Sequence, residues 1–337
     1  GGEGGGGGGG GGEVGRPVAL SGTQGEAPVD AAAAAAAAAG LPEEEVEAAA
    51  QLDVSFATLY SSLLSALARA DPLPDGRSLA EPPSPLPFVG LPLPQPHPAA
   101  SLAAEQRTAA SAKEVYRLGA AHAARAKGFL VLDGFVTDHC AILNLETSLL
   151  AGLLPFEAHP GRKMAIHKRR ADLLAVPLAQ LNEDAYVQLY RQALYDVASF
   201  RSEALELKEA LLKVSQGDRP FLYAALAPYV QQAVQAHRAF LKRFEVEGRP
   251  PDKVDDECRQ AYLSSRMALA RAHAKLPSSA SLCEALEQYQ LVAAHIKAHP
   301  ADGMHAEAQL CAEMTQLLPV RIAHLKREEA AAGQRGP

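Results

Sequence analysis

Asp133-Gly134-Phe135-Val136-Thr137-Asp138-His139 is the stretch that decides the fold, because it predicts a sharp junction between two helices. Gly134 can adopt the positive φ of the residue that follows a helix, and Thr137 is a suitable N-cap for the next helix. Apolar residues at helical spacing follow directly. The stretch therefore predicts a pair of antiparallel helices.

The helix predicted after this pair, Met164 to Leu174, combines an apolar face with a basic flank. The predicted apolar face carries Met164, His167, Arg170, Leu173 and Leu174. The flank places five cations in nine residues: Arg162, Lys163, Lys168, Arg169 and Arg170. Two interpretations stay open at this point. The flank is either solvated, with Arg170 paired to a carboxylate of a neighbouring helix, or it contacts an acidic protein.

Helical periodicity continues toward the C-terminus, where Ala is interleaved with Leu and Tyr. This pattern is typical of tetratricopeptide-like stacking, although the full repeat signature is absent. The sequence predicts an all-α fold: a TPR-like α-solenoid of antiparallel helical hairpins over residues 101–328. Asn182 and Asp218 are predicted helix caps, and Pro177 is predicted to follow the end of its helix.

The N-terminal region has a different composition. Residues 1–40 are rich in Gly and Ala and are predicted to be disordered, and residues 71–100 are a proline-rich linker. Between them, residues 41–70 predict an isolated amphipathic helix. Residues 329–337 predict a disordered tail. The start at Gly1, inside a glycine tract, suggests an N-terminally truncated sequence.

Composition narrows the class of protein. Hydrophobic residues form 48% of the chain, but aromatic residues only 5%, so Leu and Ala must supply most of the packing, which favours helices. A net charge of -7 argues against a dedicated nucleic-acid binder and favours a protein partner. No run of 18 uncharged apolar residues occurs, so no membrane span is predicted.

No pattern predicts catalytic, cofactor-binding or metal-binding residues. His139 and Cys140 are adjacent, so on a helix their side chains diverge by roughly 100°. The pair His295 and His299 has helical spacing but no evident carboxylate ligand nearby. All four cysteines lie in apolar helical patterns without CxxC spacing, which predicts buried thiols in a reducing compartment: Cys140, Cys258, Cys283 and Cys311.

The segment Arg249-Pro250-Pro251-Asp252-Lys253 is predicted to be a charged loop stiffened by two prolines. Such a loop is partly pre-organised, which lowers the entropic cost of binding a partner. An ordinary solvated connector is the alternative interpretation. Arg249, Asp252 and Lys253 are the candidate partner-binding residues here, and Lys168 and Arg169 of the basic flank are further candidates.

Several stretches, taken together, resemble the C-terminal region of the kinesin-binding protein (KIF-binding protein) family. The resemblance covers residues 103–326 in unbroken order. The stretches that carry it are Asp133 to His139, His167 to Arg170, Arg249 to Val254, Ala285 to Tyr289, His299-Pro300, Glu313-Met314 and Leu317 to Pro319.

The resemblance implies a helical, tetratricopeptide-containing solenoid that binds the motor domains of certain kinesins and keeps them off microtubules. It implies a non-enzymatic regulator that is cytoplasmic and associated with the cytoskeleton. The family's N-terminal repeats have no counterpart in the Gly- and Pro-rich residues 1–100. A generic helical-repeat scaffold that binds peptides without motor specificity is the alternative function. A helical-bundle enzyme is a third possibility, which would require polar side chains converging in the core.

Overall fold

The structure, a computed structural model, describes residues 42–69, 108–214, 219–299 and 304–333. These residues form α-helices, with no strand among them. The helices are α1 (Glu43–Arg69), α2 (Ala109–Phe129), α3 (Val136–Leu153), α4 (Pro160–Gln180), α5 (Val187–Val214), α6 (Arg219–Lys242), α7 (Asp256–Ala274), α8 (Ser279–Ala298) and α9 (His305–Gly333). The all-α prediction is confirmed for this part of the chain.

Each helix packs against the next helix along the chain, and α1 also packs on α3 and α5 on α7. From α2 onward, consecutive helices are joined by short connections, so they run antiparallel and alternate connections emerge at the same end of the stack. Packing between near neighbours in sequence is the arrangement of an α-solenoid. The predicted stack of helical hairpins is therefore confirmed.

The prediction of an isolated helix over residues 41–70 is wrong, because α1 packs on α2 and α3. The buried face of α1 consists of Ala50, Ala57, Tyr60 and Leu64. A glycine allows the close approach: a Cβ on Gly119 in α2 would lie 2.7 Å from Leu149 Cδ2 and 2.9 Å from Tyr60 Cβ. The first three helices therefore form one packed unit.

A larger apolar core runs through α5 to α9. Its fully buried aromatic residue is Tyr262, and Leu263, Leu282 and Leu318 are buried around it. The core of the first three helices is joined to this one through α4 by a small cluster formed by Leu143, Ala171, Leu174 and Phe200. The described part of the stack thus has one large core in α5 to α9 and smaller clusters among α1 to α3, and the cluster on α4 lies between them.

The junction at residues 130–135 forms as predicted but is stabilised differently. Gly134 does not adopt a positive φ, and α3 begins at Val136 with Phe135 as its N-cap, so Thr137 is not the cap. The His139 side chain instead donates from Nδ1 to the Leu130 carbonyl oxygen at 2.8 Å. The Leu130 carbonyl lies at the end of α2, where carbonyl groups have no partner within the helix. His139 takes the place of the backbone amides that a glycine with positive φ would have directed at this end.

Two other predicted helix ends differ from the structure. Pro177 is buried inside α4, which continues to Gln180, so it does not end the helix. Asn182 caps a separate turn, accepting from the amides of Asp184 and Ala185, and α5 begins only at Val187. Residues 1–40, residues 71–100 and Asp218 lie outside the described residues.

The tail predicted to begin at residue 329 is helical instead, because α9 runs to Gly333. The Glu329 carboxylate accepts hydrogen bonds from the Ser279 amide at 2.9 Å and from its hydroxyl at 2.6 Å. Ser279 is the first residue of α8, so Glu329 satisfies an amide that has no partner within that helix. This contact holds the last turns of α9 in place.

One segment of the described chain, Val136–Phe156, is long and apolar enough to cross a membrane by length and composition. It comprises α3 and the 3₁₀ turn after it, and α3 packs against α1, α2 and α4. Ile142, Leu149 and Leu150 are buried in these contacts. These apolar side chains of the segment therefore pack in the core of the stack.

His237 is a buried histidine at the centre of α5, α6 and α7. Its Nε2 lies 2.8 Å from the Ser202 hydroxyl and its Nδ1 lies 2.7 Å from the Ser265 hydroxyl. Burial, and to a lesser extent the positive charge of Arg271, lowers the pKa of His237 to about 4. The neutral imidazole, with one ring nitrogen facing each serine hydroxyl, is the form that fits this site.

We expect Gly119→Ala to destabilise the chain, because the new methyl group would collide with Tyr60 and Leu149. Overpacking costs about 1–3 kcal/mol, whereas the gain in helix propensity is about 1 kcal/mol. Urea unfolding followed by circular dichroism measures the difference. Gly134→Ala is the control, since its Cβ would meet nothing within 4 Å. Equal stability of Gly119→Ala and the unsubstituted chain would show that α1 does not pack on α2 as described.

We expect stability to fall as the pH falls from about 6.5 to about 4, because the unfolded chain protonates His237 in that window and the folded chain does not. The contribution of the His237 imidazole to the free energy of unfolding is on the order of 3 kcal/mol. This contribution is fully present above the pKa that His237 has in the unfolded chain. It is lost by the time the pH falls to the pKa that His237 has in the folded chain. His237→Gln should flatten the pH dependence of the urea midpoint, whereas the exposed-site control His324→Gln should leave it unchanged. An unaltered slope in His237→Gln would contradict this account.

Candidate partner-binding surface

The connection between α6 and α7, residues 243–255, is called the α6–α7 loop and contains the predicted binding segment. Its tip is a tight turn in which the Val246 and Arg249 amides each donate to the other's carbonyl at 3.0 Å. The two central residues both have positive φ, 52° at Glu247 and 75° at Gly248. This is the geometry of a type I′ turn. The turn holds Arg249 and Val246 out in solvent.

The rest of the α6–α7 loop is fixed at two points. The Asp252 carbonyl accepts a 2.8 Å hydrogen bond from Nε2 of His299, at the end of α8. Val254, next to Lys253, is buried in the main core. The side chains of Asp252 and Lys253 remain exposed between these anchors. The loop is therefore pre-organised, as the two prolines predict, but through contacts that the sequence pattern does not show.

A row of rings runs beneath the loop and joins four helices. Neighbouring ring centroids along it lie between 5.1 and 6.0 Å apart. The row consists of Tyr195 in α5, Phe240 at the end of α6, Phe244 just after it, Tyr262 in α7, and His295 and His299 at the end of α8. Tilted and edge-to-face contacts of this kind add to the stability of a core. They tie the position of the α6–α7 loop to the packing of α5 through α8.

The loop is also joined to the connection between α4 and α5. Arg243 pairs with Glu183 at 2.7 Å, and its carbonyl oxygen accepts from Arg191 at 3.1 Å. Arg191 in turn lies over the Phe244 ring, 4.6 Å from its centroid. These contacts place two successive connections side by side at one end of the stack.

Carboxylates dominate this end. The α2–α3, α4–α5 and α6–α7 connections emerge here because consecutive helices are antiparallel. We call their exposed or half-exposed carboxylates the acidic edge. Its members are Asp133, Asp138, Glu183, Asp184, Glu245, Glu247, Asp252, Asp255, Asp256 and Glu257. The α6–α7 loop and first turn of α7 alone carry six carboxylates against four cations, and Asp256 pairs with one of these cations, Arg259.

Of these carboxylates, sequence reasoning singles out only Asp252 as a candidate partner-binding residue. It does not single out the acidic residues around Arg249 and Lys253, because the prolines and cations are the more distinctive features of the loop. The run of charge from Glu245 to Glu257 is visible in the sequence. Only the antiparallel stacking shows that it continues on the neighbouring connections.

The basic flank of α4 lies elsewhere. Lys168 is exposed and pairs with Asp172 on its own helix at 2.5 Å. Arg169 is exposed, and among the described residues no carboxylate lies within 4 Å of it. Contacts place α4 between α3 and α5, so α5 separates this flank from the α6–α7 loop. The structure therefore does not bring the two sets of predicted residues together.

Arg170 turns inward, as one interpretation of the flank predicts. It pairs with Glu203 of α5 at 3.2 Å and lies over the Phe200 ring, 3.8 Å from its centroid. Burial disfavours the charged form of Glu203, but hydrogen bonding and the charges of His167 and Arg170 lower its pKa overall. This pairing holds α4 on α5, so Arg170 has a structural role.

The described residues contain no group of three or more His, Cys, Asp or Glu side chains that could hold a metal ion. The cysteine prediction holds in part. Cys140 and Cys311 are buried, and burial together with the charge of Glu307 raises the pKa of Cys311 to about 11, so its thiol stays protonated. Cys258 is partly buried. Cys283 is exposed, contrary to the prediction, because it points away from the face of α8 that buries Leu282.

Comparison with known proteins places this stack in context. Residues 101–325 match the family model described as "KIF-1 binding protein C terminal". Curated relatives include the KIF-binding proteins of Danio rerio, 29% identical over 236 residues, and Homo sapiens, 26% identical over 233 residues. The protein of the same name from Dictyostelium discoideum is 24% identical over 235 residues. No solved structure matches the chain significantly.

The matched regions cover 66%, 65% and 64% of this chain but only 36%, 37% and 37% of these three relatives. The chain thus spans little more than a third of the length of the curated relatives it matches. The match includes α2 to α8, most of α9 and the whole α6–α7 loop.

We expect His299→Ala to loosen the α6–α7 loop, because the Asp252 carbonyl loses its anchor. The loss of one hydrogen bond, worth about 1 kcal/mol, corresponds to a roughly fivefold larger population of loop conformations that are open to exchange. Hydrogen-deuterium exchange at the Val246 and Arg249 amides measures it. His324→Ala, a substitution on the exposed side of α9, is the control. Unchanged exchange in His299→Ala would show that the loop does not depend on this anchor.

Proposed function

The chain belongs to the KIF-1 binding protein C terminal family, and from this membership we propose that it is part of a kinesin-binding regulator. It engages kinesin motor domains and blocks their attachment to microtubules. The unbroken family match over residues 101–325 is the observation that carries the proposal. The protein acts as a binding regulator and not as an enzyme, in the cytoplasm and in association with the cytoskeleton.

The acidic edge is the surface we propose for contact with the motor. Tubulin is acidic, so a motor domain presents a basic surface to the microtubule. A rigid loop rich in carboxylates complements that basic surface and speeds the encounter through long-range attraction. Because the loop is already anchored by His299 and Val254, binding orders few additional residues. Occupation of the microtubule-facing surface then excludes tubulin by steric competition.

Within this surface, Arg249, Asp252 and Lys253 are the proposed direct contacts, since all three side chains are exposed on the fixed part of the loop. Asp252 contributes attraction for a basic partner. Arg249 and Lys253 supply hydrogen-bond donors and positive charge. They restrict the position in which the motor can bind, because a motor placed wrongly would bring its own basic residues against these two cations. Lys168 and Arg169 are proposed as peripheral contacts, because they lie beyond α5 from the loop.

We expect the purified chain to retain some members of a panel of kinesin motor domains and to reduce their landing on microtubules. The double variant Asp252→Lys with Asp255→Lys should weaken binding at least tenfold, because it places cations before a basic surface. Surface plasmon resonance at several salt concentrations measures the loss and its salt dependence.

The matched control is Glu287→Lys with Glu328→Lys, which makes the same change in charge away from the acidic edge. It should bind as the unsubstituted chain does. Retention of motors without any effect on landing would favour the alternative function, a generic scaffold. Retention of no motor, or equal weakening by both double variants, would contradict the proposal.

A further inference from the structure

A second surface lies at the end of the stack opposite the α6–α7 loop. It is an open groove of about 960 Å³ between the C-terminal turns of α5 and α7, the first turns of α6, and the middle of α8 and α9. Leu222, Leu226, Ala274 and Met314 supply its apolar lining. The groove is therefore built by five helices and is separate from the acidic edge.

The carboxylates of the groove are already neutralised. Glu206 pairs with Lys275 at 2.9 Å, and Glu209 pairs with both Lys275 and Lys213. Hydrogen bonds to these two lysines lower the pKa of Glu209 against the opposing effect of burial. These four residues form a closed network of opposite charges, so they contribute little net charge to the groove.

Two arginines in the groove have no such partner. Arg271 of α7 and Arg321 of α9 are both exposed, and no carboxylate in the described ranges lies within 4 Å of either. The groove thus carries two uncompensated positive charges beside an apolar lining. A guanidinium can bind a carboxylate through two parallel hydrogen bonds, which makes an acidic side chain its natural partner.

Exposed apolar side chains flank the same groove. Met314, Leu317 and Arg321 fall at i, i+3 and i+7 on α9, so they share one helix face. The Leu317 side chain is 64% exposed, and Phe221, which precedes a lining residue of α6, is also 64% exposed. Large apolar residues that leave water on binding each contribute substantially to affinity. The groove therefore offers apolar contact and positive charge together.

We propose that this groove binds an acidic amphipathic helix of a partner protein. The apolar face of that helix packs on Phe221, Leu317 and the groove lining, while its carboxylates pair with Arg271 and Arg321. Charge complementarity selects this occupant, because a basic segment would face two unpaired arginines. The site differs in charge and position from the acidic edge, so it serves a partner other than a basic motor surface and does not depend on the proposed function.

The test is selection of binders from a random peptide library displayed on phage, using the full chain as bait. We expect the selected peptides to combine Asp or Glu with apolar residues at helical spacing. Fluorescence polarisation should show binding at least tenfold weaker to Arg271→Glu with Arg321→Glu. That variant should in turn bind versions of the peptides in which Lys replaces the acidic residues. A misfolded chain would lose binding to the acidic peptides but would not gain binding to the basic ones.

The matched control is Arg117→Glu with Arg327→Glu, which reverses two exposed arginines outside the groove and should bind the acidic peptides normally. Arg271→Gln with Arg321→Gln provides a neutral version if the reversed pair is unstable. Selection of no peptide, or of basic or purely apolar peptides, would overturn the proposal. Equal binding to the variant and the unsubstituted chain would overturn it too, as would self-association of the chain that the arginine substitutions abolish.

Discussion

The structure depends on one constraint: each helix has a single apolar face and can remove it from water only by packing against its neighbours. Burial of that face supplies most of the stability of a helix in a protein, since an isolated helix is marginal in water. Because neighbours in sequence are joined by short connections from α2 onward, the faces meet pairwise and this part of the chain stacks as hairpins. The functional surfaces follow from this, because stacking aligns alternate connections at each end of the molecule.

The two ends of the stack consequently present different chemistry. At one end, the α6–α7 loop and its neighbouring connections expose mostly carboxylates, held in place by His299 and by the ring row beneath them. At the other end, a groove pairs its own carboxylates with lysines and leaves Arg271 and Arg321 uncompensated. The two proposed surfaces therefore suit a basic partner at one end of the stack and an acidic partner at the other.

The sequence predicts the helices well because helical periodicity is a local property of the chain. The inward pairing of Arg170 is one of two interpretations that the sequence leaves open, and it agrees with the position of that residue on the apolar face of α4. The sequence fails where a contact between distant residues decides the outcome. The packing of α1 requires Gly119 in another helix, and the order of α9 beyond residue 328 requires Ser279. The junction at Gly134 is stabilised by His139, a side chain that no capping rule would select. The acidic edge was only partly foreseen, because its charges are gathered from three separate connections.

Zero-length carbodiimide cross-linking of the chain to a motor domain that it retains tests the central claim most directly, because this reagent joins only carboxylates and amines in direct contact. The account predicts amide bonds between motor lysines and carboxylates in residues 245–257. Cross-links confined to the Lys168 side of α4 or to carboxylates at the opposite end of the stack, with none in residues 245–257, would contradict it.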